Sequence, residues 1–167
     1  MIQVYDDILK PEETMILCNN FLNKDCPYYL RIGQTIVDDR INFTHTLQDR
    51  RDQEITSHQY YYDVMKIVTR LCKTMNIKLK KTLRASANLT LPQSPSRGAI
   101  HVDHPFDHKQ IIIYLTDGGA THIFNDKNKV IKKIASKKAR VLCFDKQSHA
   151  VVHSKKHARV IVVVTFI

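Results

Sequence analysis

The stretch Gln110–Phe124, QIIIYLTDGGATHIF, decides how this chain is to be read. From Gln110 to Leu115 it is an almost unbroken apolar run, too short for a helix and rich in β-branched and aromatic side chains. That is the signature of a short strand. Asp117-Gly118-Gly119 then supplies the residues of a tight turn, and Thr121–Phe124 begins a second short run. The same alternation extends in both directions. Leu83–Leu91 and Ala99–Val102 precede it; Val130–Ile134, Arg140–Phe144, His149–His153 and Arg159–Ile167 follow. Eight short strands at a spacing of roughly 8–12 residues predict a sandwich or barrel. Eight is also the strand count of a jelly roll.

Upstream of Lys80 the pattern is different. Ile2–Ile8 reads as a short strand. Pro11-Glu12-Glu13 opens a helix, because proline suits the first helical turn and early carboxylates complement the helix dipole. Met15, Cys18, Phe21 and Leu22 are the expected buried face of that helix. The segment 25–52 is mixed, with Pro27, Gly33 and two β-like runs near Gln34–Val37 and Ile41–Thr46. Ser57 is a good N-cap for a second helix reaching about Asn76. There Tyr61, Val64, Val68, Leu71 and Met75 recur at helical spacing, widened by Met65 and Cys72, as expected of a helix packed on a sheet. No repeat or linker interrupts the chain. The expectation is one α+β domain over 1–167, with helical support over about 1–80 and a jelly-roll core over about 81–167.

With 167 residues, 43% hydrophobic and 25% charged, the chain is long and apolar enough to fold around a core. Its 26 Lys+Arg against 16 Asp+Glu give a formal charge of +10. From Lys127 onward there are eleven basic residues and one acidic, Asp145, so the whole excess sits in the last quarter. No apolar run approaches the ~18–20 residues of a membrane span. Met1 is followed by Ile-Gln-Val-Tyr-Asp-Asp, without the basic and apolar regions of a secretory signal. Cys18, Cys26, Cys72 and Cys143 form no CxxC pair and read as reduced thiols of a cytoplasmic protein. Seven of the nine histidines fall after residue 100, which invites a search for metal ligands.

The densest chemical signal is His101-Val102-Asp103. In a strand, residues i and i+2 share a face, so an imidazole and a carboxylate can meet one metal ion. Two histidines and one carboxylate with open positions are the facial triad of non-haem iron(II) oxygenases. His149 lies 48 residues after His101 on a late strand, and Arg159 stands ten residues beyond it, opening the apolar run Val160–Phe166. A guanidinium at the start of a buried strand needs an anionic partner, and its fork matches a carboxylate bidentately.

These pieces together resemble the prolyl-hydroxylase-like branch of the Fe(II)/2-oxoglutarate dioxygenases. The resemblance runs through His101-Val102-Asp103-His104-Pro105, Ile112-Ile113-Tyr114-Leu115, Gly118–Phe124, Ala139–Asp145, His149-Ala150-Val151 and Arg159, in that order, across about Leu83–Ile167. The opening Val4–Glu13 is similar to the leading strand and helix of small, often phage-like members. The resemblance implies a double-stranded β-helix (cupin-like) core with His101, Asp103 and His149 as iron ligands. Arg159 and Tyr114 would hold the distal carboxylate of 2-oxoglutarate, and Thr121 and Val151 would line its pocket. His153 shares the face of His149 on a regular strand and is a rival ligand; the family's spacing to Arg159 favours His149. His104, His108, His122 and His157 have no triad partner at ligand spacing and read as surface residues or as neighbours that touch a ligand side chain and not the metal.

The implied cofactors are Fe(II), 2-oxoglutarate as co-substrate and O2, with ascorbate in support. The implied reaction is hydroxylation of a C–H bond, first of all on a protein side chain such as proline, with release of succinate and CO2. An acidic peptide or protein is the first expected partner. A nucleic-acid substrate, suggested by the basic last quarter, and a non-catalytic jelly-roll binding protein are the alternatives. The lysines at positions 127, 129, 132, 133, 137, 138, 155 and 156 form either a solvated face or a positive rim around the iron. A membrane partner is not expected, and a virus-encoded member would act in the host cytoplasm.

Overall fold

The structure is a computed structural model that describes residues 1–32, 41–93 and 97–167. In chain order its elements are β1 (Ile2–Tyr5), α1 (Pro11–Phe21), β2 (Tyr29–Ile32), β3 (Ile41–Gln48), α2 (His58–Thr74) and β4 (Thr82–Thr90). Then come β5 (Lys109–Tyr114), β6 (Ala120–Phe124), β7 (Val130–Ala135), β8 (Val141–Asp145), β9 (His149–Val152) and β10 (Arg159–Phe166). Two antiparallel sheets form, a larger one in the order β1-β8-β5-β10-β4-β3-β2 and a smaller one in the order β7-β6-β9. The sheets face each other as the two walls of a jelly roll, and both helices cover the outer face of the larger sheet. The expected α+β jelly roll is the observed architecture.

Strand alternation sorts the side chains into two cores. On β10 every residue is buried. Val160, Val162, Val164 and Phe166 point to the helices, where they meet Leu17, Phe21, Val64 and Leu71. Ile161 and Val163 point between the sheets, with Ile112, Tyr114, Ile123, Leu142 and Phe144. Each such large apolar side chain contributes about 1.5–3 kcal/mol over an exposed one. Because side chains alternate, Arg159 shares the inner face with Ile161 and Val163. The same rule makes the opposite end of the interior polar. The inward positions of β3 are Asn42, Thr44, Thr46 and Gln48; those of β4 include Arg84, Asn88 and Thr90.

Several expectations need correction. The run 99–102 is not a ladder strand; this part of the chain touches the smaller sheet through isolated bridges, Arg97 to Val152 and His101 to His149. The first 80 residues are more than a helical support, since they supply β1, β2 and β3 to the larger sheet. The β-like run at Ile41–Thr46 is β3; the one near Gln34–Val37 lies outside the described residues. β1 ends at Tyr5, short of Ile8. On α1 the buried face is Glu13, Leu17 and Phe21, while Met15 and Leu22 are exposed. The face is rotated because Glu13 is drawn inward, accepting hydrogen bonds from the Arg70 guanidinium of α2 and from the Lys10 backbone N–H. On α2 the predicted face holds, with Val64, Val68, Leu71 and Cys72 buried.

The turn at 117–119 is as expected. Gly118 and Gly119 adopt φ of +106° and +75°, the left-handed region that favours glycine. At Gly119 a methyl group would also lie 2.5 Å from the Val152 carbonyl oxygen and 3.3 Å from Arg159 Cδ. The bare backbone is what lets the start of β6 close over the arginine.

Candidate metal centre

The bridge between His101 and His149 builds the first half of the site. His101 N–H donates to the His149 carbonyl at 3.0 Å and receives the return bond at 2.9 Å. The two rings consequently stand 4.4 Å apart, centroid to centroid. His101 Nδ1 lies 3.1 Å from the Ala99 carbonyl oxygen, and His149 Nδ1 lies 3.0 Å from that of Gln147. A carbonyl only accepts, so each Nδ1 carries the proton and each Nε2 offers a lone pair.

Asp103 completes the group from the bend that follows. Its Oδ1 accepts from Arg50 Nη2 at 3.1 Å and from Arg84 Nη1 at 3.2 Å. Its Oδ2 is left facing His149 Nε2 at 3.6 Å. One donor atom from each of His101, Asp103 and His149 lies within 4.8 Å of the other two. His153 is not part of this group. Burial alone would raise the Asp103 pKa, but Arg84 above all, then His149, His101 and Arg50, hold it far below the usual carboxylate range. Burial, reinforced by the neighbouring His101, pushes His149 down to about 4. At neutral pH the trio is therefore one carboxylate and a deprotonated His149 beside His101.

A pH effect on stability follows. His149 and the buried His104, whose Nε2 is 2.8 Å from Thr165 Oγ1, both fall from 6.5 in an open chain to about 4 in the fold. The unfolded chain binds more protons over that window, so stability rises with pH through it and is lost on acidification. Urea unfolding of the metal-free protein is expected to shift to lower midpoint between about pH 7 and about pH 5, and less so in His149→Gln. A midpoint indifferent to pH over that range contradicts the buried, neutral histidines.

Arg159 lies deeper, only 3% exposed. Its Nε donates to Ser136 Oγ and its Nη2 to Thr121 Oγ1, both at 2.8 Å. The guanidinium carbon sits 5.3 Å from the centre of the Tyr114 ring. Among the described residues no carboxylate pairs with it. Tyr114 Oη donates to the same Thr121 Oγ1 at 2.8 Å. Having accepted from both, the Thr121 hydroxyl is left to donate its own proton. Thr121, Val151 and Arg159 line one cavity of about 790 Å³ together with His101, Asp103 and His149. Tyr114 sits one layer behind that wall and acts on it through Thr121 and Arg159.

Sequence reasoning missed the other arginines. Arg50 and Arg84 grip Asp103, and Arg31 and Arg51 line the same cavity. The signal was available in the polar alternation of Asn42-Phe43-Thr44-His45-Thr46-Leu47-Gln48 and Arg84-Ala85-Ser86-Ala87-Asn88. None of the C-terminal lysines lines the cavity. The basic excess of the last quarter thus lies elsewhere on the surface. No helix among the described residues is long and apolar enough to cross a membrane.

No protein-family model and no curated protein matches the sequence. Solved structures share its fold. A 2OG-Fe(II) oxygenase family oxidoreductase from Burkholderia pseudomallei superposes with a TM-score of 0.80 at 12% identity, over 99% of this chain and 84% of that one. A prolyl hydroxylase from Trichoplax adhaerens, in complex with a hypoxia inducible factor oxygen degradation domain peptide fragment, gives 0.66 at 16% identity, over 99% and 82%. A Pseudomonas putida prolyl-4-hydroxylase gives 0.65 at 14% identity, over 99% and 91%. At such identities the likeness is one of fold.

Proposed function

We propose that residues 1–167 form one Fe(II)- and 2-oxoglutarate-dependent dioxygenase domain that hydroxylates a C–H bond on a protein side chain such as proline. The observation that carries this reading is the meeting, in one cavity, of a His101–Asp103–His149 donor set and a buried Arg159 lacking a carboxylate partner among the described residues. The donor chemistry fits a divalent iron: two imidazole Nε2 lone pairs and one carboxylate oxygen, with the other oxygen tied back by arginines. The arginine fits the distal carboxylate of 2-oxoglutarate. The Trichoplax neighbour's bound peptide supports a peptide substrate.

Iron and 2-oxoglutarate, when bound, supply the O2 chemistry, in which co-substrate, O2 and substrate C–H become succinate, CO2 and C–OH. The chain supplies position and field. His101 and His149 hold their lone pairs inward because Ala99 and Gln147 fix their tautomers. Arg50 and Arg84 fix Asp103 and keep it ionised. Arg159 and the Thr121 hydroxyl orient the co-substrate at the closed end, with Tyr114 steadying both from behind, and Val151 lends an apolar wall.

Chelation is the first test. With a proline-containing peptide and 2-oxoglutarate, succinate formation is expected to stop on removal of metal and to return with Fe(II) but not with Zn(II). Turnover that survives chelation contradicts the reading. Ascorbate is expected only to sustain the reaction.

A further inference from the structure

The end of the cavity away from Arg159 is built for something charged and polar. Its wall is the inner face of β3 and the adjoining part of β4, where Asn42, Thr44 and Gln48 are buried although none is apolar. Two amide oxygens at this wall, Gln48 Oε1 and Asn88 Oδ1, and a third that lines the cavity from β5, Gln110 Oε1, are buried without a hydrogen-bond partner among the described residues. A buried acceptor left unpaired is costly, so such groups indicate a ligand that completes them. Arg31, Arg50 and Arg51 line the same cavity; Arg50 is paired with Asp103, and the acidic neighbour of the other two in the lining is Asp49. Asp49 already accepts the Arg51 backbone N–H at 2.7 Å. Across the whole cavity five arginines face two aspartates. Iron(II) and a 2-oxoglutarate dianion would cancel one another and leave that positive excess intact.

We propose that the primary substrate is an acidic peptide, carrying a carboxylate side chain next to the oxidised residue, which Arg31 and Arg51 receive at the cavity mouth. The oxidation of that residue rests on the oxygenase reading; the binding of the acidic peptide does not. Guanidinium forks match carboxylates, and rim charges of this kind also steer an anionic partner inward. The side-chain amides of Asn42, Asn88, Gln48 and Gln110 carry both donors and acceptors, which suits the N–H and C=O groups of an extended peptide. A nucleic acid fits less well. Among the described lining residues no Phe, Tyr or Trp offers a stacking surface, and the lysines that would follow a phosphate backbone lie off the cavity. Arg50 is a positioning residue as well, since it also holds Asp103.

The test is a comparison of labelled probes by fluorescence anisotropy, on protein with and without Mn(II). The probes are a proline peptide flanked by glutamates, its glutamine counterpart and a short oligothymidylate. The acidic peptide is expected to bind about tenfold or more tightly than the glutamine peptide, the scale of one charge-assisted contact. Arg31→Gln and Arg51→Gln, singly and together, are expected to remove that preference while 2-oxoglutarate affinity and thermal melting stay put. Equal binding of the two peptides, no binding of the acidic one at low salt, or tighter binding of the oligothymidylate overturns the proposal. Failure of 2-oxoglutarate to bind, with acidic preference retained, overturns the oxygenase reading alone.

Discussion

Asp103→Ala is expected to abolish succinate formation and to weaken divalent-metal binding by more than about a hundredfold, the upper end of what losing even an outer-shell partner costs a metal site. The carboxylate is the only anion among the three donors, and without it the site is two imidazoles beside Arg50 and Arg84. Those two guanidiniums, which now converge on Asp103 Oδ1 at 3.1 and 3.2 Å, would repel a divalent cation. Asp103→Asn separates the effects. It keeps an oxygen for the arginines, so it is expected to stay folded, but it loses the charge and with it metal affinity. Mn(II) titration followed by electron paramagnetic resonance reads affinity directly. Metal affinity within a few-fold of wild type in both variants contradicts the assignment of Asp103 as a ligand. His101→Ala is expected to behave in the same way, without the arginine complication.

Arg159→Ala is expected to weaken 2-oxoglutarate binding by about 2–5 kcal/mol, the cost of truncating one partner of a buried charge pair. Metal affinity should change little, because Arg159 contacts Ser136 and Thr121 and none of the three donors. The stability of the free protein gives an independent reading. A buried guanidinium without a carboxylate among the described residues is itself a burden on the fold. Arg159→Met is therefore expected to melt no lower than wild type in the absence of co-substrate. Addition of 2-oxoglutarate should raise the wild-type melting temperature and leave the variant where it was, since only a ligand that binds the folded state stabilises it. A variant that melts far below wild type and still responds to 2-oxoglutarate would reassign Arg159 to a purely structural role.

The parts of this account that were legible in the sequence are those written in local pattern. The strands from Leu83 onward could be read because each is a short apolar run closed by a turn, and Gly118-Gly119 could be read because only glycine suits that backbone. His101 and Asp103 stood out as close neighbours in the chain, and Arg159 as a charge heading an apolar strand. What could not be read depends on contacts between distant segments. The rotation of α1 comes from Arg70 reaching Glu13 across 57 positions. The bridge that sets His101 beside His149 joins the first residue of β9 to a segment that forms no ladder strand of its own. Arg50 and Arg84 become part of the site only because β3 and β4 lie side by side, with the end of β3 brought over Asp103. The basic C-terminal quarter drew attention by its charge, yet the cavity draws its positive lining mostly from residues upstream of it.

The most direct test of the central claim is spectroscopic. Fe(II) and 2-oxoglutarate are added to the protein under anaerobic conditions, and the visible absorbance is followed. If His101, Asp103 and His149 hold the iron while Arg159 orients the co-substrate on it, a weak charge-transfer band should grow to one equivalent. It should be absent in Asp103→Ala and should require far more 2-oxoglutarate in Arg159→Ala. A wild-type protein that binds neither component and gives no band contradicts the account.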